Sequence, residues 1–123
     1  MEKNNHIGQH ALLDLFGIDT TSASQPERVR EIMLQAAQLA GANVLQEHFH
    51  HFGENSGITG VLLLSESHMS IHTWPEREFA AVDIFMCGEH NIYKATEYLQ
   101  NAFRAEYIEL AINQRGRGRI SNN

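Results

Sequence analysis

Positive charge is scarce in this sequence: nine Lys+Arg stand against fifteen Asp+Glu over 123 residues, a formal net charge of -6. That balance argues against a nucleic-acid partner, because such binding draws most of its affinity from neutralising phosphates. The one basic run, Arg115, Arg117 and Arg119 spaced by Gly116 and Gly118, reads as a solvated tail with at most an anion contact. Lysine is rarer still. With only Lys3 and Lys94 present, chemistry that condenses a lysine amine with a carbonyl has almost no candidates. A single cysteine, Cys87, excludes an intramolecular disulfide. Neither a basic-then-apolar leader nor an apolar run of membrane-spanning length is present, so a cytoplasmic protein with no membrane partner is expected.

What is present suits one domain over residues 1–123. At 42% hydrophobic content, a chain of this size buries enough surface for a core without disulfide or metal staples. The apolar run Ala11–Phe16, stopped by Gly17, predicts a first strand, and the Thr20–Ser24 stretch reads as loop. Ser24 followed by Glu27 resembles a capping box. With Pro26 in the first turn, Val29, Ile32, Met33, Ala36 and Ala40 then recur at helical spacing until Gly41. Strands are expected over 44–52, 59–64, 69–74 and 80–86, a second amphipathic helix from His90 through Phe103, and a last strand over 107–112. The short polar link Pro75–Glu78 makes its two flanking strands a hairpin, because parallel neighbours need a long crossover. Two helices for about six strands cannot cover both faces of a sheet. The expected fold is therefore a two-layer α/β sandwich, a mainly antiparallel sheet with helices on one face. A second copy of the chain is the simplest cover for the other.

The densest polar chemistry lies between Leu64 and Glu76. Strand alternation places His68, Ser70 and His72 on one face and Met69, Ile71 and Thr73 on the other. On residue chemistry alone this also describes a half-exposed strand with a polar outer face. His48, His50, His51, His68 and His72 raise the question of a metal, but no Cys pair or adjacent acid completes a zinc-type signature, and none is expected. A serine hydrolase is a poor fit, since Ser67 lacks a Gly-x-Ser-x-Gly elbow and no Asp lies nearby to orient a histidine.

The block Ser65-Glu66-Ser67-His68, then Ile71-His72-Thr73-Trp74-Pro75-Glu76, then Ala80-Ala81-Val82-Asp83-Ile84-Phe85-Met86-Cys87-Gly88 resembles the prokaryotic S-adenosylmethionine decarboxylase proenzymes. The likeness extends from Gly8-Gln9-His10 and Leu13-Asp14-Leu15 through Phe49-His50-His51-Phe52 to the Arg-Gly pairs near the end. It implies a chain that cuts its own Glu66–Ser67 bond into 1–66 (β chain) and 67–123 (α chain), leaving a pyruvoyl group derived from Ser67. Such a built-in carbonyl supplies what a decarboxylase otherwise takes from a lysine-bound cofactor, a fit with the lysine count.

The resemblance also assigns roles. Ser67, His72 and Cys87 become catalytic: Ser67 attacks the Glu66 carbonyl, His72 takes the proton during elimination, and the Cys87 thiol returns a proton to the α-carbon after carbon dioxide leaves. Because Ser67 and His72 have opposite parity on a continuous strand, that pairing requires the chain to turn near 67–68. Thr59 stands where the family pattern has a processing serine; it keeps the hydroxyl and adds a methyl, which points to slower cleavage. Phe52 and Trp74 match aromatic positions around the substrate, where rings stack on a nucleobase or face a sulfonium, and Glu76 matches the acid that holds ribose hydroxyls. Read bottom-up, the same residues are ordinary: a strand histidine, a small buried thiol, core rings and a turn carboxylate. The implied activity is conversion of S-adenosylmethionine to its decarboxylated form for spermidine synthesis, by a homodimer with the substrate site near the subunit boundary. The alternatives are a pyruvoyl-dependent arginine or ornithine decarboxylase, or a non-enzymatic small-ligand module on the same scaffold.

Overall fold

The computed structural model describes residues 7–116. Six strands form one sheet: β1 Gly8–Phe16, β2 Val44–His51, β3 Ile58–Leu64, β4 Ser67–Trp74, β5 Phe79–Cys87 and β6 Tyr107–Arg115. Their order is β2-β3-β4-β5-β1-β6 and every neighbouring pair is antiparallel. Three helices accompany them, α1 Thr20–Ala23, α2 Pro26–Ala40 and α3 Ile92–Ala102. The sandwich expected from the helix-to-strand ratio is the fold observed.

Period decides what each element buries. Along α2, Val29, Ile32, Met33, Ala36, Ala37 and Ala40 form the inward stripe, and Ile92, Ala95, Thr96 and Leu99 do the same on α3. The two helices lie side by side on one sheet face. Beneath them, Ala11, Leu13 and Leu15 of β1 join Met69 and Ile71 of β4 and Val82, Ile84 and Met86 of β5 in the core. Each such large side chain stabilises the fold by about 1.5–3 kcal/mol on burial. Among the described residues no helix covers the opposite face. That face presents Leu12, Val61 and Leu63, 41%, 42% and 48% exposed, along with Trp74 and Tyr107.

Two sequence expectations need correction at the start of α2. Residues 20–24 are not simply loop: Thr20–Ala23 make a helical turn, capped by Asp19, whose carboxylate accepts from the Ser22 backbone N–H and from Ser22 Oγ at 2.9 Å. That hydrogen bond from Ser22 holds the Asp19 carboxyl below its ordinary titration range. The capping box is also absent. Ser24 Oγ donates backwards to the Thr20 and Thr21 carbonyls, and Gln25 precedes the first turn of α2 without a side-chain cap. With Pro26 at the first helical position, one orphan donor is missing anyway. Arg115 closes β6 rather than opening a tail; Arg117 and Arg119 lie outside the described residues.

The β4–β5 hairpin forms as expected. Pro75–Arg77 make one 3₁₀ turn, Glu78 takes a positive φ of 51°, and Trp74 pairs with Phe79. The strands differ from their expected bounds by a few residues, chiefly because ladder pairing extends past the apolar runs. β4 begins at Ser67 rather than Met69, and β6 continues to Arg115.

Candidate active site

The alternation of β4 decides which groups can meet. Ser67, Met69, Ile71 and Thr73 are buried on the helix side, while His68, Ser70, His72 and Trp74 look out from the open face. The sheet thus has two chemically distinct ends. At one lie the β2–β3 loop, the C-terminal end of β4 and the 3₁₀ turn; at the other, the β3–β4 turn and the last residue of β5.

The first end holds a cleft of about 340 Å3 lined by Phe52, Gly57, Thr59, His72, Thr73, Trp74 and Glu76. Thr59 and His72 face each other across the β3–β4 ladder, with Thr59 Oγ1 3.0 Å from His72 Nδ1. When Nδ1 carries the hydrogen and donates to that oxygen, Nε2 keeps a free lone pair. The His72 and Trp74 rings lie 6.0 Å apart at 41°, and Trp74 continues into a row with Phe79, Phe16 and Tyr107 across four strands. Phe52 is exposed, its ring edge-on to His50 at 4.6 Å, and its N–H donates to Gly57 O at 3.0 Å. Glu76, in the 3₁₀ turn, is exposed to solvent. Seven residues separated by up to 24 positions in the chain therefore line one cleft, as a binding site requires.

Two cleft residues escaped the sequence reading. Thr73 Oγ1 donates to the Ala23 carbonyl at 2.7 Å and accepts the Ile58 N–H at 3.0 Å, tying α1, β3 and β4 together beneath the cleft. Its signal was parity alone, a hydroxyl on the buried face of a strand. Gly57 leaves no room for a side chain, since a Cβ there would stand 2.1 Å from the Thr73 carbonyl oxygen.

At the other end, Ser65 and Glu66 form the two-residue connection between β3 and β4, whose pairing closes at Leu64 and Ser67. Glu66 has a φ of 62°, a left-handed conformation that costs a residue with a side chain about 1–2 kcal/mol. Ser67 is 7% exposed. Its hydroxyl donates to the Ser65 carbonyl at 3.1 Å, and the Ser65 N–H donates to Asn43 O at 3.1 Å, fixing the turn from below. The ladder pairs His68 with Phe85, so Cys87, two residues on, closes β5 beside this same turn. Cys87 Sγ lies 3.8 Å from His90 Nδ1.

Here one condition set by the sequence is not met. The chain turns at 65–66, and β4 runs unbroken from Ser67. Ser67 and His72 consequently point to opposite faces, about 16 Å apart along the strand at its usual rise. Within a single chain, Ser67 and Cys87 occupy one end of the sheet, and Thr59, His72, Phe52, Trp74 and Glu76 the other.

Among the described residues, no three His, Cys, Asp or Glu side chains converge as a metal site. No helix among them is long and apolar enough to cross a membrane.

Comparison with known proteins decides the family. The family model described as S-adenosylmethionine decarboxylase matches residues 9–116. The chain belongs to the S-adenosylmethionine decarboxylase family. It is 42% identical over 117 residues to the S-adenosylmethionine decarboxylase proenzyme of Persephonella marina, covering 94% of this chain and 86% of that one. Identity to the proenzyme of Pelotomaculum thermopropionicum is 43% over 112 residues, 90% and 88% of the two chains. In three dimensions it is similar to the crystal structure of the adenosylmethionine decarboxylase from Aquifex aeolicus, with a TM-score of 0.82 and 34% identity over 90% of this chain and 92% of that chain. The family match spans both ends of the sheet, the Glu66–Ser67 turn and the Thr59–His72 cleft alike.

Proposed function

We propose that this chain is a self-processing S-adenosylmethionine decarboxylase, cut at Glu66–Ser67, that works as a homodimer with each active site shared by two subunits. The observation that carries the reading is the Glu66–Ser67 turn. A strained residue immediately precedes a buried serine whose hydroxyl is held against its own backbone. Strain at the bond to be broken is released by cleavage and favours it.

The residues at the turn fit a pyruvoyl group made from Ser67. The Ser67 hydroxyl adds to the Glu66 carbonyl carbon, the C–N bond breaks, and the hydroxyl proton passes to the Ser67 nitrogen, so that an ester replaces the amide. A base then removes the Ser67 α-proton and the Glu66 carboxylate leaves as the new C-terminus of 1–66. The remaining dehydroalanine hydrolyses with loss of ammonia. Once formed, the group supplies a carbonyl for the substrate amine and an electron sink for decarboxylation.

The separation of Ser67 from His72 supports a two-subunit site. His72 of the same chain faces away from Ser67, and no element among the described residues covers the open sheet face bearing His72, Leu12, Val61 and Leu63. A two-fold axis lying across the strands packs open face on open face with opposite sheet ends superposed, bringing the Glu66–Ser67 turn and Cys87 of one subunit to the Thr59–His72 cleft of the other. In that arrangement His72, steadied by Thr59, serves as the base, and Cys87 delivers the proton to the substrate carbon. Trp74 and Phe52 offer faces to the adenine and the sulfonium, and Glu76 accepts from the ribose hydroxyls. An arginine or ornithine substrate has no ring and no diol to use them.

Intact-mass measurement of the purified protein tests the reading. Two species are expected, residues 1–66 and residues 67–123, the second lighter by one ammonia than a chain starting with serine. Ser67→Ala leaves one full-length species. Incubation of processed enzyme with S-adenosylmethionine releases carbon dioxide, whereas arginine and ornithine release none. A wild-type chain that stays full length after long incubation overturns the proposal.

A further inference from the structure

The general-acid role of Cys87 leaves a proton unaccounted for. Loss of carbon dioxide from a carboxylate consumes one proton per turnover, R–COO⁻ + H⁺ giving R–H + CO₂. A thiol that donates to carbon is left as a thiolate and must be recharged from water before the next cycle. Within one chain the substrate-binding cleft lies at the opposite sheet end from Cys87, and the proposed dimer gives His72 of that cleft to the processing step.

His90 stands in the position to do so. It is the third residue after Cys87 in a tight turn closed by the His90 N–H donating to the Cys87 carbonyl at 3.1 Å. The same turn brings His90 Nδ1 to 3.8 Å from Cys87 Sγ, within hydrogen-bond reach for sulfur. The turn is anchored as well as closed: the next residue, Asn91, donates its N–H to the Ala40 carbonyl at the end of α2. Asn91 also caps α3 by accepting the Lys94 N–H. On its far side the imidazole borders Gly41, where a Cβ would stand 3.8 Å from His90 Cδ2. The ring is therefore placed by backbone contacts from β5, α2 and α3, and it is half-buried, so it touches both sulfur and solvent. Cys87 is the titratable group bonded to it and Glu89 its neighbour in the turn; the end of α2 presents Gly41 and the Ala40 carbonyl.

We infer that His90 is a positioning residue for Cys87, holding the thiol by a Sγ–Nδ1 hydrogen bond and returning a proton from water to the thiolate after each turnover. The inference rests on the proposed decarboxylase reading. An imidazole exchanges protons near neutrality, so it both releases one to sulfur and regains one from solvent within a cycle. The step balances: the imidazolium N–H bond breaks, the S–H bond forms, and the neutral ring takes a proton from water or buffer. Cleavage of the Glu66–Ser67 bond does not use this path.

The test uses the full-length protein with His90→Ala and His90→Asn, the second keeping an amide near the Nδ1 position without a group that titrates. Both variants are expected to cleave themselves as the wild type does, seen by intact mass. In both, kcat falls by roughly 10- to 100-fold with KM within about threefold, less than the roughly 10²–10⁴-fold of a general acid acting directly, because His90 acts through Cys87. Imidazole added at tens of millimolar restores a substantial part of kcat to His90→Ala, whose side-chain loss leaves room for it. A second readout needs no turnover. Alkylation of Cys87 by iodoacetamide, followed by mass, carries an inflection from the neighbouring imidazole in its pH–rate profile in the wild type, and that inflection is gone in both variants. Retention of kcat within twofold, a loss of kcat that imidazole does not restore, or alkylation profiles identical in all three proteins overturns the inference. Should the wild type itself stay uncut or release no carbon dioxide, the decarboxylase reading fails while the alkylation comparison still decides whether His90 governs the thiol.

Discussion

Glu66 shows how a single backbone angle joins stability to chemistry. A glutamate at a φ of 62° occupies ground that favours glycine, and the chain tolerates this one residue before the bond it is proposed to break. In a Ser67→Ala background, where the chain stays whole, Glu66→Gly is expected to raise unfolding stability by about 1 kcal/mol. A urea titration of the two uncut proteins reads the difference directly. In the wild-type background the same change slows appearance of the 1–66 fragment, because less strain remains to be released. A variant that is no more stable and is cut at the wild-type rate sets the strain argument aside.

The same scale shows what was legible before any coordinates. Alternation in 68–73 correctly separated His72 from Thr73, because side-chain direction in a strand depends only on counting. What counting does not supply is where the strand starts. The relation between Ser67 and His72 turned on whether the bend falls at 65–66 or at 67–68, and no residue type there announces it: serines stand at both 65 and 67, and the positive φ falls on Glu66 rather than on a glycine or asparagine. His90 went unread for a related reason, since a contact three residues apart in a turn has no periodicity to betray it.

Among elements, the helices and the β4–β5 hairpin were readable because their signals are local: an apolar stripe at 3.6-residue spacing, and a four-residue link too short for a crossover. α1 was not. The cluster of Thr and Ser at 20–24 looks like loop, and its capping residue, Asp19, lies just before it. The depressed titration of Asp19 fixes the sign of its contribution. A carboxylate whose folded-state pKa lies below its unfolded one stabilises the fold above the unfolded value and ceases to do so as pH falls through the folded one. Asp19→Ala is therefore expected to cost about 0.5–1 kcal/mol at neutral pH, a penalty that shrinks in acid as pH falls through the lowered folded-state value and the carboxyl is protonated. Chemical unfolding at neutral pH and in acid separates these outcomes; a penalty that is equal in both assigns Asp19 a role other than charge.

Thr73 makes the link between elements more demanding. Its hydroxyl satisfies the Ile58 N–H and the Ala23 carbonyl at once, so the isosteric Thr73→Val leaves two buried backbone groups unpaired. A loss of about 2–4 kcal/mol follows from the desolvation of two such groups. It is measurable as a lower urea midpoint with an unchanged slope. Because these bonds run under the cleft, substrate KM rises in the same variant. An effect below about 0.5 kcal/mol indicates that water reaches both groups.

For the whole molecule, the central question is how two sheet ends cooperate. If each site draws Ser67 and Cys87 from one subunit and Glu76 from the other, two defective chains can repair one another. Cys87→Ala and Glu76→Ala homodimers are each expected to be nearly inactive. Co-expressed, they pair at random, and half of the dimers then contain one intact site of two, which gives about a quarter of wild-type activity. A site built within a single chain yields no such recovery. On the same axis, Leu63→Glu places a charge on the uncovered face and is expected to shift the protein toward monomer in sedimentation analysis.

The strand order carries a consequence for the life of the protein after the proposed cleavage. β1 lies between β5 and β6, so the 1–66 piece is clasped inside the sheet of the 67–123 piece, while β3 still pairs with β4 across the former turn. Two such pieces would stay together without a covalent link, held by three ladders and a shared core. Once separated by denaturant, however, they must find each other by diffusion, and reassembly becomes a second-order event whose yield falls on dilution. The uncut chain folds with its halves tethered, at an effective concentration that two free fragments do not reach in solution. The proposed cleavage would therefore act as a ratchet: the molecule would pass through its folding-competent form once, on the way to the active one.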